Sequence, residues 1–275
     1  MTSLQRHASA WLGALLLAGV LLVAVLGPWL VPGDPWDLAA SPLLWPGSDP
    51  AFVLGTDAMG RDLAAGLVSG ARVSLMIGAV STLIATLLGL LVGACGGYFG
   101  GWVDNALMRL TELFQTVPKF VLAVVLVAVF QPSVATVVGA IAIVSWPPTA
   151  RLARAEFMAL RGREFVLAAR TLGMGPLRIM ATQILPNALP PVVAVAALSV
   201  ATAIQTEAAL AFLGLGDPNV MSWGTIIGAG REQVVDAWYI CVLPGAAIVI
   251  TVLGFTLLGE GLNDAFNPHL KARHR

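Results

Sequence analysis

Six long apolar runs constrain this chain more than any other feature of it. They lie at roughly 10–31, 73–97, 113–131, 134–150, 190–213 and 238–260. A helix that crosses hydrocarbon needs about 20 mostly apolar residues. Lipid offers no partner to backbone polar groups, so only helices and closed barrels span it. The runs are continuous rather than alternating, which excludes a barrel. Charged residues make up 11% of the chain and hydrophobic ones 58%, against about 25% charged in soluble domains. The expected fold is an all-α membrane protein of six transmembrane helices. Residues 1–72 would form an N-terminal anchor and outer loop, 73–260 the transmembrane core, and 261–275 a tail. No stretch is left for a separate soluble domain. The third and fourth runs are interrupted by Pro118, Lys119, Gln131 and Pro132.

Charge gives the orientation. Arg151, Arg154, Arg161, Arg163, Arg170 and Arg178 crowd the segment 151–178, and Lys271, Arg273 and Arg275 follow near the end. The segments 32–72 and 214–237 hold only Arg61, Arg72 and Arg231, beside Asp34, Asp37, Asp49, Asp57, Asp62, Asp217, Glu232 and Asp236. By the positive-inside rule the arginine-rich loop and both termini are expected in the cytoplasm, and six crossings satisfy that. The first run follows Arg6 and His7 but is longer than a signal-peptide core and lacks a small-residue cleavage site, so it reads as a retained anchor. Cys95 and Cys241 fall in separate apolar runs with no metal or redox spacing and read as packing residues.

Two further segments have local signatures. Leu63 and Leu67 follow the turn-rich stretch 54–62 at helical spacing, which predicts a short interfacial helix with Thr56 or Asp57 as its N-cap. Gly89, Gly93, Gly97 and Gly101 recur every four residues, giving a bare strip where another helix can approach closely.

The basic segment is the richest in breakers. Ala150 to Leu172 has no proline and one glycine, Gly162, and suits a helix at the membrane face. Gly173 and Gly175 close it, because glycine takes the positive-φ positions that end helices. Pro176 fits the first position of a second helix. Leu177, Met180, Ala181 and Ile184 would form its apolar face. Pro186 is expected to stop it, and Pro190 and Pro191 to open the fifth span. A short helix held between breakers can fill a groove in another protein, whereas arginines alone would suit a surface that binds anionic lipid.

Ala168-Ala169, Gly173 and Ile184-Leu185-Pro186 in this order resemble the EAA loop of ABC-transporter permease subunits. Leu167 stands where that pattern has Glu, and Gln183 where Ile is common. Residues 54–62, 207–224 and 258–270 resemble the C-type permeases of the dipeptide, oligopeptide and nickel importer group. The resemblance implies that Glu164, Ala168, Ala169, Gly173, Gly175, Leu177, Met180, Ile184, Leu185 and Pro186 couple the chain to a cytoplasmic ATPase. It also implies a second homologous permease subunit, two ATPase domains, an extracytoplasmic binding protein and short peptides as cargo. Nickel, metallophore or haem is the alternative cargo.

Ionisable residues in spans are costly and usually face a cavity or a partner. Glu207, with Gln205 beside it, is therefore a candidate for the substrate path, and equally for a contact with a partner subunit or the outer headgroups. Lys119 is expected to snorkel, and Glu260 to sit at the inner exit or a subunit contact. Gly214-Leu215-Gly216-Asp217 matches the G-x-G-D signature of intramembrane aspartyl proteases. That chemistry needs two carboxylates sharing a proton, and no span offers a second aspartate. The histidines, His7, His269 and His274, lie near the termini, and hydrolase and metal motifs are missing. The spans are too poor in carboxylates for a proton- or sodium-coupled carrier. The sequence has no G-x-x-x-x-G-K-[ST] loop, so ATP and magnesium belong on partner chains; no catalytic residue, metal site, cofactor or nucleic-acid contact is expected in this one.

Overall fold

The computed structural model describes residues 3–266. The tail residues Lys271, Arg273 and Arg275, with His269 and His274, and the side chains of Arg6 and His7 lie outside the described residues. Ten helices follow in order: α1 (Ser3–Leu30), α2 (Leu63–Phe99), α3 (Gly101–Thr116), α4 (Lys119–Phe130), α5 (Val134–Leu160), α6 (Glu164–Thr171), α7 (Pro176–Ile179), α8 (Leu185–Phe212), α9 (Trp223–Gly230) and α10 (Tyr239–Phe266). Extended structure among the described residues is limited to two isolated bridges, Leu38 with Arg61 and Thr56 with Asp62. Among the described residues, five helices are long and apolar enough to cross a membrane.

The third expected crossing is not one rod. The run expected over 113–131 is split into α3 and α4, which meet at 83°. Proline forces the residue before it out of the helical region, and Val117, before Pro118, is extended at φ −90°, ψ 131°. α4 ends at Gln131, whose φ is +67°, just before Pro132. Ser133 then caps α5, its hydroxyl accepting from Thr136 N at 3.1 Å.

The interfacial helix expected near Leu63 does not exist as a separate element. Those residues are the first turns of α2, which runs 37 residues, or about 55 Å at 1.5 Å per residue. Its N-cap is Asp62, whose carboxylate accepts from Ala64 N at 2.9 Å, and not Thr56 or Asp57. Thr56 is buried and joins the α1–α2 loop to itself, donating to Ser41 O at 2.7 Å and accepting from Leu44 N at 3.0 Å. Asp57 is used in a turn, accepting from Met59 N and Arg61 N. Tyr239, opening α10, donates to Leu44 O and Thr56 O and pins the loop down.

The glycine strip on α2 packs against α5. A Cβ at Gly89 would meet Thr149 Cβ and Trp146 O at 2.7 Å. At Gly93 it would press on the backbone of Ala150 and Arg154, and at Gly97 it would lie 2.6 Å from Arg154 O. Gly101 does not belong to this strip: it begins α3 at φ +57° with open space around it. α1 lies along α10, where a Cβ at Gly13 would sit 2.7 Å from Leu258 N. α10 continues to Phe266 rather than ending near 260.

Candidate functional site: the coupling segment and a buried carboxyl

The basic segment folds at one end of the bundle. α5 ends at Leu160, and Gly162 lies in the turn before α6, so the helix expected from Ala150 to Leu172 is two helices. α6 closes as anticipated on glycine. Gly173 has φ +77°, Met174 N donates to Ala169 O at 3.1 Å, and Gly173 N donates to Arg170 O at 2.9 Å. That bond pair is the Schellman arrangement. Gly175 then caps α7 from its N-terminus, with Pro176 first in the helix.

Past this point the structure corrects the sequence reading. Pro186 does not stop the helix. The chain continues helical from Pro176 through Phe212, by way of a π-turn over Met180–Ile184 in which Leu185 N donates to Met180 O. Proline has no N–H for the carbonyl four residues back, and its ring clashes there. One extra residue in the turn relieves both problems. Asn187 Nδ2 meanwhile donates to Gln183 O at 2.7 Å.

The inserted residue also shifts the apolar phase. Leu177, Met180, Ala181 and Ile184 do not form one buried face: Leu177 is 75% exposed and Ile184 fully buried. The buried line is Ile179, Ile184 and Ala188, packed with Val166 and Ala169 of α6 against Tyr98 and Phe157. Ala168 and Ala169 part in the same way, Ala168 outward and Ala169 inward. Arg170 lies over the Tyr98 ring at 5.3 Å. What faces out is Phe165, Leu167, Leu172 and Leu177, with Leu172 82% exposed, beside exposed Glu164, Gly173, Gly175, Arg178 and Pro186, while Leu185 is half-buried. An apolar knob rimmed by charge on a compact, well-packed base is a surface suited to a partner.

Two of the arginines are paired within the fold. Arg154 on α5 pairs with Asp104 on α3 through Nε to Oδ1 and through Nη2 to Oδ2 at 2.6 Å. Arg161 Nη1 donates to Gly97 O at 3.1 Å, covering the end of α2. Charge counting along the sequence sees neither pairing, because the partners are 50 and 64 residues away.

At the opposite end, Glu207 is 2% exposed. Ser74 Oγ on α2 donates to its Oε2 at 3.0 Å, and Ser222 lines the same small cavity. Gln205, two residues away, is exposed, so the two candidates for a path do not share a surface. Glu260 and Lys119 are both exposed.

The G-x-G-D match resolves into a helix end. Gly214 has φ +80°, Leu215 N donates to Leu210 O and Gly214 N to Ala211 O, both at 2.9 Å, which repeats the Schellman pattern. Asp217 accepts from Asn219 N at 2.9 Å and from Val134 N, at the start of α5, at 3.0 Å. Those bonds hold its carboxyl below the usual carboxylate range. It is a clasp between α5 and the α8–α9 loop.

The family described as "Binding-protein-dependent transport system inner membrane component" matches residues 85–272. The chain belongs to that family. It is thus an inner-membrane transport component of a binding-protein-dependent system. The Di/tripeptide transport system permease protein DppC of Pseudomonas aeruginosa (strain UCBPP-PA14) is 39% identical over 98% of this chain and 91% of its own length. The Dipeptide transport system permease protein DppC of Escherichia coli (strain K12) is 40% identical over 97% of this chain and 91% of its own. The Haemophilus influenzae protein of that name is 35% identical over 97% and 92%. Among solved structures, a chain of the inward-facing MetNI methionine ABC transporter superposes with a TM-score of 0.59 at 20% identity, covering 74% of this chain and 96% of that one. That likeness establishes the fold of an ABC permease for this chain.

Proposed function

We propose that this permease forms half of the translocation path of an ATP-driven importer of short peptides. The reading rests chiefly on the full-length similarity to peptide permeases, which spans 97–98% of the chain. A second, homologous permease chain completes the path, and an extracytoplasmic binding protein delivers the peptide. ATP and magnesium bind on two ATPase domains of other chains. The arginine-rich end lies in the cytoplasm, a placement supported by the charge asymmetry.

The outward residues of the coupling segment, Leu167, Leu172 and Leu177, dock into the ATPase, with Glu164 and Arg178 at the rim. The inward residues Val166, Ala169, Ile179 and Ile184 fix that knob to α2 and α5, so a push on it is delivered to the bundle rather than absorbed in a loop. Because Leu167 replaces the acidic residue of the family pattern, docking at that position is apolar.

The test is whole-cell uptake of labelled di- and tripeptides and of chelated nickel in parent and deletion strains. Loss of peptide uptake alone, restored by the intact gene, is the expected result. Loss of nickel uptake alone overturns the cargo and leaves the architecture standing.

A further inference from the structure

We propose that Glu207 is the positioning residue of an outer latch, through which the motion of α8 is delivered to α9. The inference rests on the ATP-driven reading above, and it assigns a role to the buried carboxyl that reading leaves unused.

α9 is wedged between two long helices. On the α8 side, a Cβ at Gly224 would lie 2.6 Å from Ala208 Cα, and one at Gly228 would lie 3.2 Å from Phe212 Cα. On the α2 side, a Cβ at Gly70 would lie 2.6 Å from Trp223 Cδ1. Trp223 Nε1 donates to Leu67 O at 3.0 Å. For α8 to shift against α2, the N-terminus of α9 must release one of them.

Glu207 sits where that choice is made. The first N–H groups of a helix have no partner inside it. Trp223 N donates to Ser74 Oγ at 3.4 Å, and Thr225 N to Ser222 Oγ at 3.2 Å. Each hydroxyl used as an acceptor still has a proton to place. Ser74 gives its proton to Glu207 Oε2, while the Ser222 hydroxyl pairs with Thr225 Oγ1 at 3.1 Å. The carboxyl on α8 thus orients the α2 hydroxyl that receives the first amide of α9. Glu207, Ser74, Ser222 and Trp223 are each 3% exposed or less, so a lost bond is not made good by bulk solvent.

The same helix reaches the coupling end. From Pro176 to Phe212 the chain is helical throughout, and Pro176 to Glu207 spans about 45 Å at 1.5 Å per residue. A stroke at α7 therefore arrives at Glu207 along a single rod, and the latch converts it into holding or freeing α9.

The experiment uses the complete transporter, with its partner chains and binding protein, in proteoliposomes. Uptake of a labelled dipeptide and ATP hydrolysis are measured for the parent, Glu207→Gln, Ser74→Ala and Ser74→Thr. Gln offers one acceptor and a competing donor, and Ala removes a hydroxyl without adding bulk. Both are expected to raise the ATP hydrolysed per peptide moved at least tenfold, while Ser74→Thr, which keeps the hydroxyl, stays within threefold of the parent. Unchanged ratios, a parallel fall of uptake and hydrolysis, or equal defects in Ser74→Ala and Ser74→Thr would overturn the latch. A second readout needs no cargo: spin labels at Met59 and Val235, with Cys95 and Cys241 replaced by alanine, report the distance between the α2 entrance and the α9 loop. ATP and magnesium are expected to shift it in the parent and not in Glu207→Gln. A shift in a parent that moves no peptide would overturn the cargo assignment alone, and no shift in the parent would overturn the latch.

Discussion

Arg72 on α2 supplies the hydrogen bond that Pro28 removes from α1. Proline at 28 has no N–H for the carbonyl of Ala24, and Arg72 Nε donates to that oxygen at 2.5 Å while Nη2 reaches Val25 O at 3.3 Å. A carbonyl left without a donor inside a membrane is costly, so a charged residue near the start of α2 does the work of an absent amide and ties two helices together. Replacing Arg72 by Leu is expected to cost about 1–3 kcal/mol, read as a lower unfolding midpoint in detergent. Pro28→Ala restores the internal bond, so the Pro28→Ala, Arg72→Leu double variant should lose less than Arg72→Leu alone. Equal losses in both backgrounds would refute the pairing.

The α2–α5 contact has a comparable test. Gly93 faces the Ala150 backbone with no room for a Cβ, whereas Gly139, near the start of α5, has nothing within 4 Å. Gly93→Val is expected to cost about 3 kcal/mol through overpacking and to lower the folded yield in the membrane. Gly139→Ala should leave both unchanged. A well-folded Gly93→Val protein would show that the two helices separate easily.

Much of this architecture is legible in the residues, and the failures share a cause. The apolar runs locate the helices because lipid leaves the backbone no alternative. Gly173 marks its turn because its positive φ suits glycine best. Where proline was read only as a terminator, the sequence reading failed at Pro186, since a π-turn carries the helix past it. It then misassigned the buried face by one residue, missing Ile179. Partners across the fold were invisible for a different reason: Ser74 and Glu207 are 133 residues apart, and neither period nor composition registers a contact of that range. The buried position of Glu207 could have been suspected from a lone carboxyl in an apolar run, but not its hydroxyl partner.

The Arg154–Asp104 pair is expected to behave as a structural brace. Asp104 is largely buried, while the Arg154 side chain is 33% exposed, so solvent screening moderates its strength. Asp104→Ala should cost about 2 kcal/mol, and the exchange Asp104→Arg with Arg154→Asp should recover part of it. A double-mutant cycle with no coupling energy would remove the brace.

Asp217 predicts a pH dependence. Its carboxyl, held by the amides of Asn219 and Val134, titrates below its unfolded value of about 3.9. The unfolded chain therefore binds the proton more readily, and the clasp's stabilisation is complete above that value and lost as pH falls through the lower, folded one. Unfolding midpoints of the parent and Asp217→Asn, followed from pH 7 down to pH 3, should differ by a constant amount above about pH 5 and converge in acid. A difference that persists unchanged to pH 3 would mean that the charge on Asp217 contributes nothing.

Gly173 and Gly175 separate conformation from space in the coupling segment. Neither has a heavy atom within 4 Å of an added Cβ, yet Gly173 sits at φ +77° and Gly175 at φ −68°. The left-handed region costs a non-glycine residue about 1–2 kcal/mol, and Asn tolerates it best. Gly173→Asn should therefore retain more peptide uptake than Gly173→Ala, and Gly173→Val the least, because a β-branched chain distorts the turn that aims α7. Membrane insertion should be equal in all three, since the site is open and the bundle beneath it is untouched. Gly175→Ala should transport within twofold of the parent. The order Asn, Ala, Val in uptake at constant expression ties transport to the geometry of this turn, whereas full uptake by Gly173→Val would show that the turn carries no motion.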